Sequence, residues 1–165
     1  MVQKRFYEAL IKTLEISVLI LFLVAASNFF GAVFSRLGTP MMLTEFLLAW
    51  DLSVTAVLII IMALIFLLGW PLEWVPIVLI IVPILIPVLV KLDINLTWFG
   101  ILVAVNLQTA WLSPPVALSA YFLKGVVPEW DLKDIYFGMM QFMVIQLIGL
   151  ALIFLFPQIV LWLPN

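Results

Sequence analysis

The stretch NLQTAWLSPPVALSAYF, residues 106–122, decides how this chain folds. It places Asn106, Gln108, Thr109 and Ser113 beside the pair Pro114 and Pro115, in the middle of an otherwise apolar, helix-forming run. Pro114 has no amide hydrogen, and Pro115 pushes Pro114 away from helical backbone angles. A helix approaching from Trp98 should therefore stop near Leu112 and resume after Pro115, since a proline suits a first helical position. Such a break leaves carbonyls unpaired on one half-helix and amides unpaired on the other. The carbonyl end suits a bare cation and the amide end an anion. Small residues beside it, Ala110, Ala117, Ser119 and Ala120, would let a neighbouring backbone approach closely.

The rest of the chain says what kind of protein carries this break. Of 165 residues, 67% are hydrophobic and only 10% charged, with a mean hydropathy of +1.36. A soluble domain carries about a quarter charged residues, so this is a membrane protein. Cysteine and histidine are both absent, which removes disulfides, thiol nucleophiles, His- or Cys-ligated metal sites and histidine proton relays. A sequence pI near 4.9 and seven scattered basic residues argue against nucleic acid as a partner. The opening MVQKRFYEALIKTLE has no small-residue cleavage site, and it reads as the start of an uncleaved first span. Residues 6–14 also read as an amphipathic helix lying on a membrane surface, which is compatible with that span.

Four long apolar segments, at about residues 16–34, 52–70, 98–122 and 135–156, are each long enough to cross about 30 Å of hydrocarbon. Apolar residues continue after the last one to Leu163. Residues 41–50, after Gly38 and Pro40, are too few to span and read as an interfacial or partly re-entrant helix. Residues 71–91 carry Pro71, Pro76, Pro83 and Pro87, enough to interrupt a straight helix. Two forms fit: one kinked crossing, or two short helices making a re-entrant hairpin. Pro83 near the midpoint, with Glu73 and Lys91 at the ends, favours the hairpin. The distribution of Lys4, Arg5, Lys12, Lys124 and Lys133 favours the crossing. The whole of 1–165 reads as one membrane domain.

Glu15, Asp51, Glu73 and Asp93 all fall near predicted span ends, so no carboxylate relay runs through the chain. Coupling to a metal cation through neutral oxygens fits better. No serine has a base near it in the sequence pattern, so the chain is not expected to be an enzyme. Isolated polar residues such as Ser27, Asn28, Ser53, Thr55, Gln141 and Gln146 read as contacts that knit helices together.

Taken together, these residues resemble the large membrane subunit of the tripartite ATP-independent periplasmic (TRAP) transporters, the DctM-like permease. The segment from Asn106 to Pro128 is similar to that family's run of an asparagine, a hydroxyl, two prolines, then Gly-Val and Pro. LGWPLEW, with Gly69 and Glu73, is similar to its hairpin opening. Pro83 and Pro87 match its spaced prolines, and Phe99, Gly100 and Asn106 match its approach to the broken helix. The likeness covers nearly the whole chain, but only the carboxy-terminal part of the family.

The resemblance implies an all-α polytopic membrane fold with a re-entrant helical hairpin and a discontinuous helix, part of an ion-transporter-superfamily elevator. It implies a multi-pass protein of the bacterial or archaeal cytoplasmic (inner) membrane. The expected activity is sodium-coupled uptake of carboxylate solutes delivered by a periplasmic solute-binding protein, with Na+ as coupling ion and no other cofactor. A small TRAP membrane subunit and a chain supplying the amino-terminal half are the implied partners, besides the lipid bilayer. By carry-over, Na+ would lie near Asn106, Thr109 and Ser113. Gln108, Leu112, Pro114 and Pro115 complete the cation and substrate region, while Gly69, Glu73, Pro83 and Pro87 mark the hairpin's start and tip. Family glycines stand as Ala110 and Ala117 here, where a methyl crowds a close backbone contact. The other reading is a truncated or structural membrane protein without transport activity of its own.

Overall fold

The computed structural model describes residues 2–72, 74–113 and 117–162, and every regular element among them is helical. Helix α1 (Val2–Arg36) is the longest, and its second half packs against the others. Gly38, at φ 72°, turns the chain into α2 (Thr39–Leu48), with Pro40 in the first turn. The buried Thr44 hydroxyl donates to the Pro40 carbonyl at 2.7 Å, which removes its need for an outside partner. Helix α3 (Val54–Gly69) starts at Ser53, whose hydroxyl accepts the Ala56 N–H at 3.3 Å.

The proline-rich segment takes the uninterrupted form. Helix α4 (Trp74–Pro76), a π-helical stretch over Ile77–Ile81 and α5 (Val82–Lys91) make one helical run, Trp74–Lys91. The hairpin favoured from the sequence is not formed, because Ile81 and Val82 are both helical and no reversal occurs at Pro83. The Val82 N–H reaches back five residues to the Ile77 carbonyl. This wider turn resets the hydrogen-bond register just before Pro83, whose ring would otherwise meet the Leu79 carbonyl. Pro83 and Pro87 stand on the exposed side, opposite buried Leu85, Val88 and Leu89.

Helix α6 (Leu96–Leu107) is capped by Asn95, whose side chain accepts the Trp98 N–H at 3.0 Å. After an interruption at Gln108, α7 (Thr109–Leu112) ends at Ser113, which is extended at φ −90° and ψ 131°. Helix α8 (Leu118–Val126) follows, so the helix is discontinuous where the sequence predicts it. Asp131 caps α9 (Leu132–Leu155), accepting the Lys133 N–H at 3.0 Å, and the short α10 (Gln158–Leu161) comes after Pro157.

Among the described residues, three helices are long and apolar enough to cross a membrane: Lys4–Arg36, Trp74–Lys91 and Leu132–Leu155. Val54–Gly69 has 16 residues, about 24 Å of helix, shorter than the sequence suggests. Its core-facing residues Leu58, Ile61 and Ile65 pack with Ile77, Leu89 and Leu102 of the neighbouring helices. Burying each such side chain contributes about 2 kcal/mol.

A hydrogen bond helps tie this core to α9. Pro157 has no N–H for the Ile153 carbonyl four residues earlier, and the Trp98 indole N–H donates to that carbonyl at 3.0 Å. Trp98→Phe is expected to lower stability by about 1–2 kcal/mol by leaving the carbonyl unpaired in apolar surroundings. Equilibrium unfolding of the detergent-solubilised chain measures this. An unchanged midpoint would show that water or lipid headgroups reach Ile153.

Candidate functional site

The broken helix turns three polar side chains to one buried side. Asn106, Thr109 and Ser113 are each 1% exposed, at spacings of three and four residues that share a helix face. The interior is mostly apolar, so each polar atom has to find a partner or bear a desolvation cost. Asn106 Nδ2 donates to the Met62 carbonyl of α3 at 2.8 Å and lies 3.8 Å from Met62 Sδ. This contact fixes the amide orientation, because the flipped group would set two oxygens against each other. Asn106 Oδ1 is left buried with no partner. Thr109 Oγ1 donates to the Asn106 carbonyl at 2.6 Å and keeps its acceptor capacity. Ser113 Oγ is also buried and has no partner among the described residues.

Two buried oxygens without a partner among the described residues are costly, about 1–3 kcal/mol each. They lie where the helix ends and face inward from α6 and α7. Among the described residues no cluster of three or more His, Cys, Asp or Glu could hold a metal. A cation here would be met by neutral oxygens, a donor set that suits a hard ion. The Ser113 carbonyl, at the break, accepts the Ala117 N–H at 3.0 Å.

Other predicted residues fall elsewhere. Gln108 points away from the buried trio, and its Oε1 accepts from Gln146 Nε2 at 2.8 Å. The same Gln146 nitrogen donates to the Val105 carbonyl at 3.0 Å. This glutamine therefore binds α9 to the interruption in α6, in keeping with its reading as an interhelical contact. Gln108 also lines an open cavity of about 590 Å³ with Trp74, Val78, Ala104, Leu107 and Trp111. Leu112 packs with Ala117, Ala120, Ile135 and Met139. Gly69 closes α3 rather than opening a hairpin, and a Cβ built on it would lie 3.3 Å from Ala110 Cβ. Pro83 and Pro87 belong to the continuous α5. Glu73, Pro114 and Pro115 lie outside the described residues.

Ala117 is fully buried at φ 25° and ψ 59°, a backbone region that side chains rarely enter. Holding it there costs about 1–2 kcal/mol. Ala117→Val is expected to destabilise the chain by a further 2–3 kcal/mol, because a β-branched residue fits neither the angle nor the space. Ala117→Gly is expected to stay within about 1 kcal/mol of the parent, relief of strain offsetting the lost methyl. Unfolding midpoints of the two variants check the order, and equal midpoints would refute the strain.

The Met62 carbonyl, the Trp98–Ile153 contact and the Gly69–Ala110 approach escape sequence reasoning, since each depends on which helices become neighbours. Only Pro157 leaves a trace, because it removes the donor for Ile153.

The profile of the family described as "Tripartite ATP-independent periplasmic transporter, DctM component" matches residues 1–159. The large permease protein DctM of the C4-dicarboxylate TRAP transporter from Rhodobacter capsulatus is 31% identical over 94% of this chain and 35% of its own length. The sialic acid TRAP transporter large permease SiaM of Vibrio cholerae is 30% identical over 97% of the chain and 37% of its own length. The sialic acid permease SiaT of Haemophilus influenzae is 26% identical over 98% of the chain and 26% of its own length. The chain thus spans about a quarter to just over a third of the curated relatives it matches. With nearly every residue matched and a broken helix where the polar-proline motif sits, the chain belongs to the DctM family of TRAP transporter permeases.

Proposed function

We propose that this chain forms part of a sodium-coupled symporter that takes up organic acids across the bacterial or archaeal inner membrane. The observation that carries the reading is the pair of buried, unpartnered oxygens, Asn106 Oδ1 and Ser113 Oγ, with the Thr109 hydroxyl between them in sequence. A bound Na+ at either oxygen would give it a partner, and the neutral donor set fits its chemistry. The remaining ligands would come from the part of the transporter that this chain does not contain. Sialic acid and C4-dicarboxylates, named for the relatives, both carry carboxylates, which supports an anionic solute. Delivery by a periplasmic binding protein, pairing with a small membrane subunit and movement of an elevator-type domain belong to this proposal.

The chain's small share of its relatives supports a second reading, a truncated or structural membrane protein without transport of its own. Purification from detergent-solubilised native membranes, with mass spectrometry of whatever accompanies the chain, separates the two. A small multi-span subunit and a chain carrying the other half should co-purify with a working part. Recovery of the chain alone would favour the remnant.

A further inference from the structure

Asn28 carries a carboxamide on an exposed side of α1, inside the apolar stretch of residues 16–34. The nearer end of that stretch is about 9 Å of helix away, beyond the reach of so short a side chain. In a bilayer the amide therefore meets either hydrocarbon, which offers it no hydrogen bond, or another protein group. The Thr13 and Thr44 hydroxyls turn back to the carbonyl four residues earlier. Among the described residues Asn28 makes no such bond. Its neighbour Ser27 is buried and shares a crevice with Val75, Pro76 and Ile80 of the proline-rich run.

The residues in line with Asn28 make a seam. Val18, Leu21, Ala25, Asn28, Ala32 and Ser35 recur at alternating three- and four-residue steps, and all are exposed. They fall within about 100° of the helix circumference, on the side opposite Leu23, Ser27 and Phe30 of the crevice. A period of 3.5 residues keeps such a seam against one neighbouring helix that crosses at a shallow angle. The seam is about 26 Å long, most of the hydrocarbon thickness, so its neighbour is a membrane-spanning helix. A single asparagine in a seam fixes register, because the amide both donates and accepts.

The seam also tapers, from large residues at Val18 and Leu21 to small ones at Ala25, Ala32 and Ser35. A second copy of the chain inserted the same way up would set large against large and small against small, and the pair would splay at one end. A helix of opposite taper fills both ends and lets the backbones approach closely. Three relatives are covered to only 26%, 35% and 37% of their lengths, so most of a family permease lies outside this chain. We propose that the Asn28 seam packs against a membrane-spanning helix from that outside part of the large permease, with a hydrogen-bonding side chain set opposite Asn28. Such a neighbour exists only if the chain works within an assembled transporter, as proposed above.

A diazirine-bearing amino acid at Leu21, Ala25 or Ala32 of the full chain, photolysed in native membranes without added sodium or solute, reacts with whatever touches the seam. Phe22 and Val33, exposed beside the seam, serve as controls. Mass spectrometry should find seam adducts on a peptide that matches the DctM family in a segment this chain lacks, and lipid adducts at the two controls. Asn28→Leu should lower the seam adducts about fivefold, the effect of one lost interhelical hydrogen bond. Seam adducts on a second copy, on any other protein or on lipid alone would overturn the proposal. Equal protein adducts at all five positions, or an unchanged yield in Asn28→Leu, would overturn it too. Contact is read here without transport. Lipid adducts beside a full sodium response would refute the seam alone, and the expected adducts without any sodium response would refute the cation site alone.

Discussion

Asn106→Leu is expected to abolish the sodium response of uptake by the assembled transporter while leaving the chain inserted and nearly as stable as before. The amide makes one contact, from Nδ2 to the Met62 carbonyl, and leaves Oδ1 buried without a partner. Leucine has a similar shape and removes both the bond and the orphaned oxygen. A lost bond of about 1 kcal/mol is offset by a relieved desolvation cost of similar size. A structural amide would behave otherwise, since its removal would loosen α3 from α6. For the cation, one missing ligand worth a few kcal/mol lowers affinity about 100-fold, and Ser113→Ala should act in the same direction. Uptake measured against sodium concentration, beside unfolding of the same variants, checks both halves. Full sodium dependence in Asn106→Leu and Ser113→Ala would sink the proposed site. Asn106→Asp makes a useful contrast, because a carboxylate set against the Met62 carbonyl should destabilise the chain by about 3 kcal/mol.

Gly69→Leu is expected to cost about 3 kcal/mol, because α3 and α7 meet there with no room for a larger side chain. A single Cβ at Gly69 already falls 3.3 Å from the Ala110 methyl. A two-way exchange makes the cause testable. Gly69→Ala combined with Ala110→Gly moves the methyl from one helix to the other and keeps the contact volume. The double variant should be more stable than the sum of the single effects by about 1 kcal/mol. Additive effects in equilibrium unfolding would mean that the helices separate freely and that the approach is not a constraint.

Much of the candidate site was legible in the sequence because its cause is local. Pro114 and Pro115 disfavour a continuous helix through local sterics, and the hydroxyl and amide positions before them fall on one helix face by spacing alone. The shortness of the resemblance was likewise visible in the chain's length. The fate of residues 71–91 was not. Proline breaks an α-helix, but it does not specify whether the chain reverses or changes its hydrogen-bond period, and here it changes period between Ile77 and Ile81. Gln108 was misplaced for a related reason. Its neighbour Gln146 comes from a helix 38 residues away in sequence, and polarity alone does not say which side of a break a glutamine faces.

The π-helical stretch does more than carry the chain past Pro83. In an ordinary helix, Ile77 and Leu85 are eight residues and about 80° apart around the axis. With about 4.4 residues per turn through the wider stretch, they come almost into line, and Val88 and Leu89 fall to either side. All four are buried. The stretch thus works as a phase shift between two stripes written in different registers, and a core that looks irregular in sequence becomes a single edge in space.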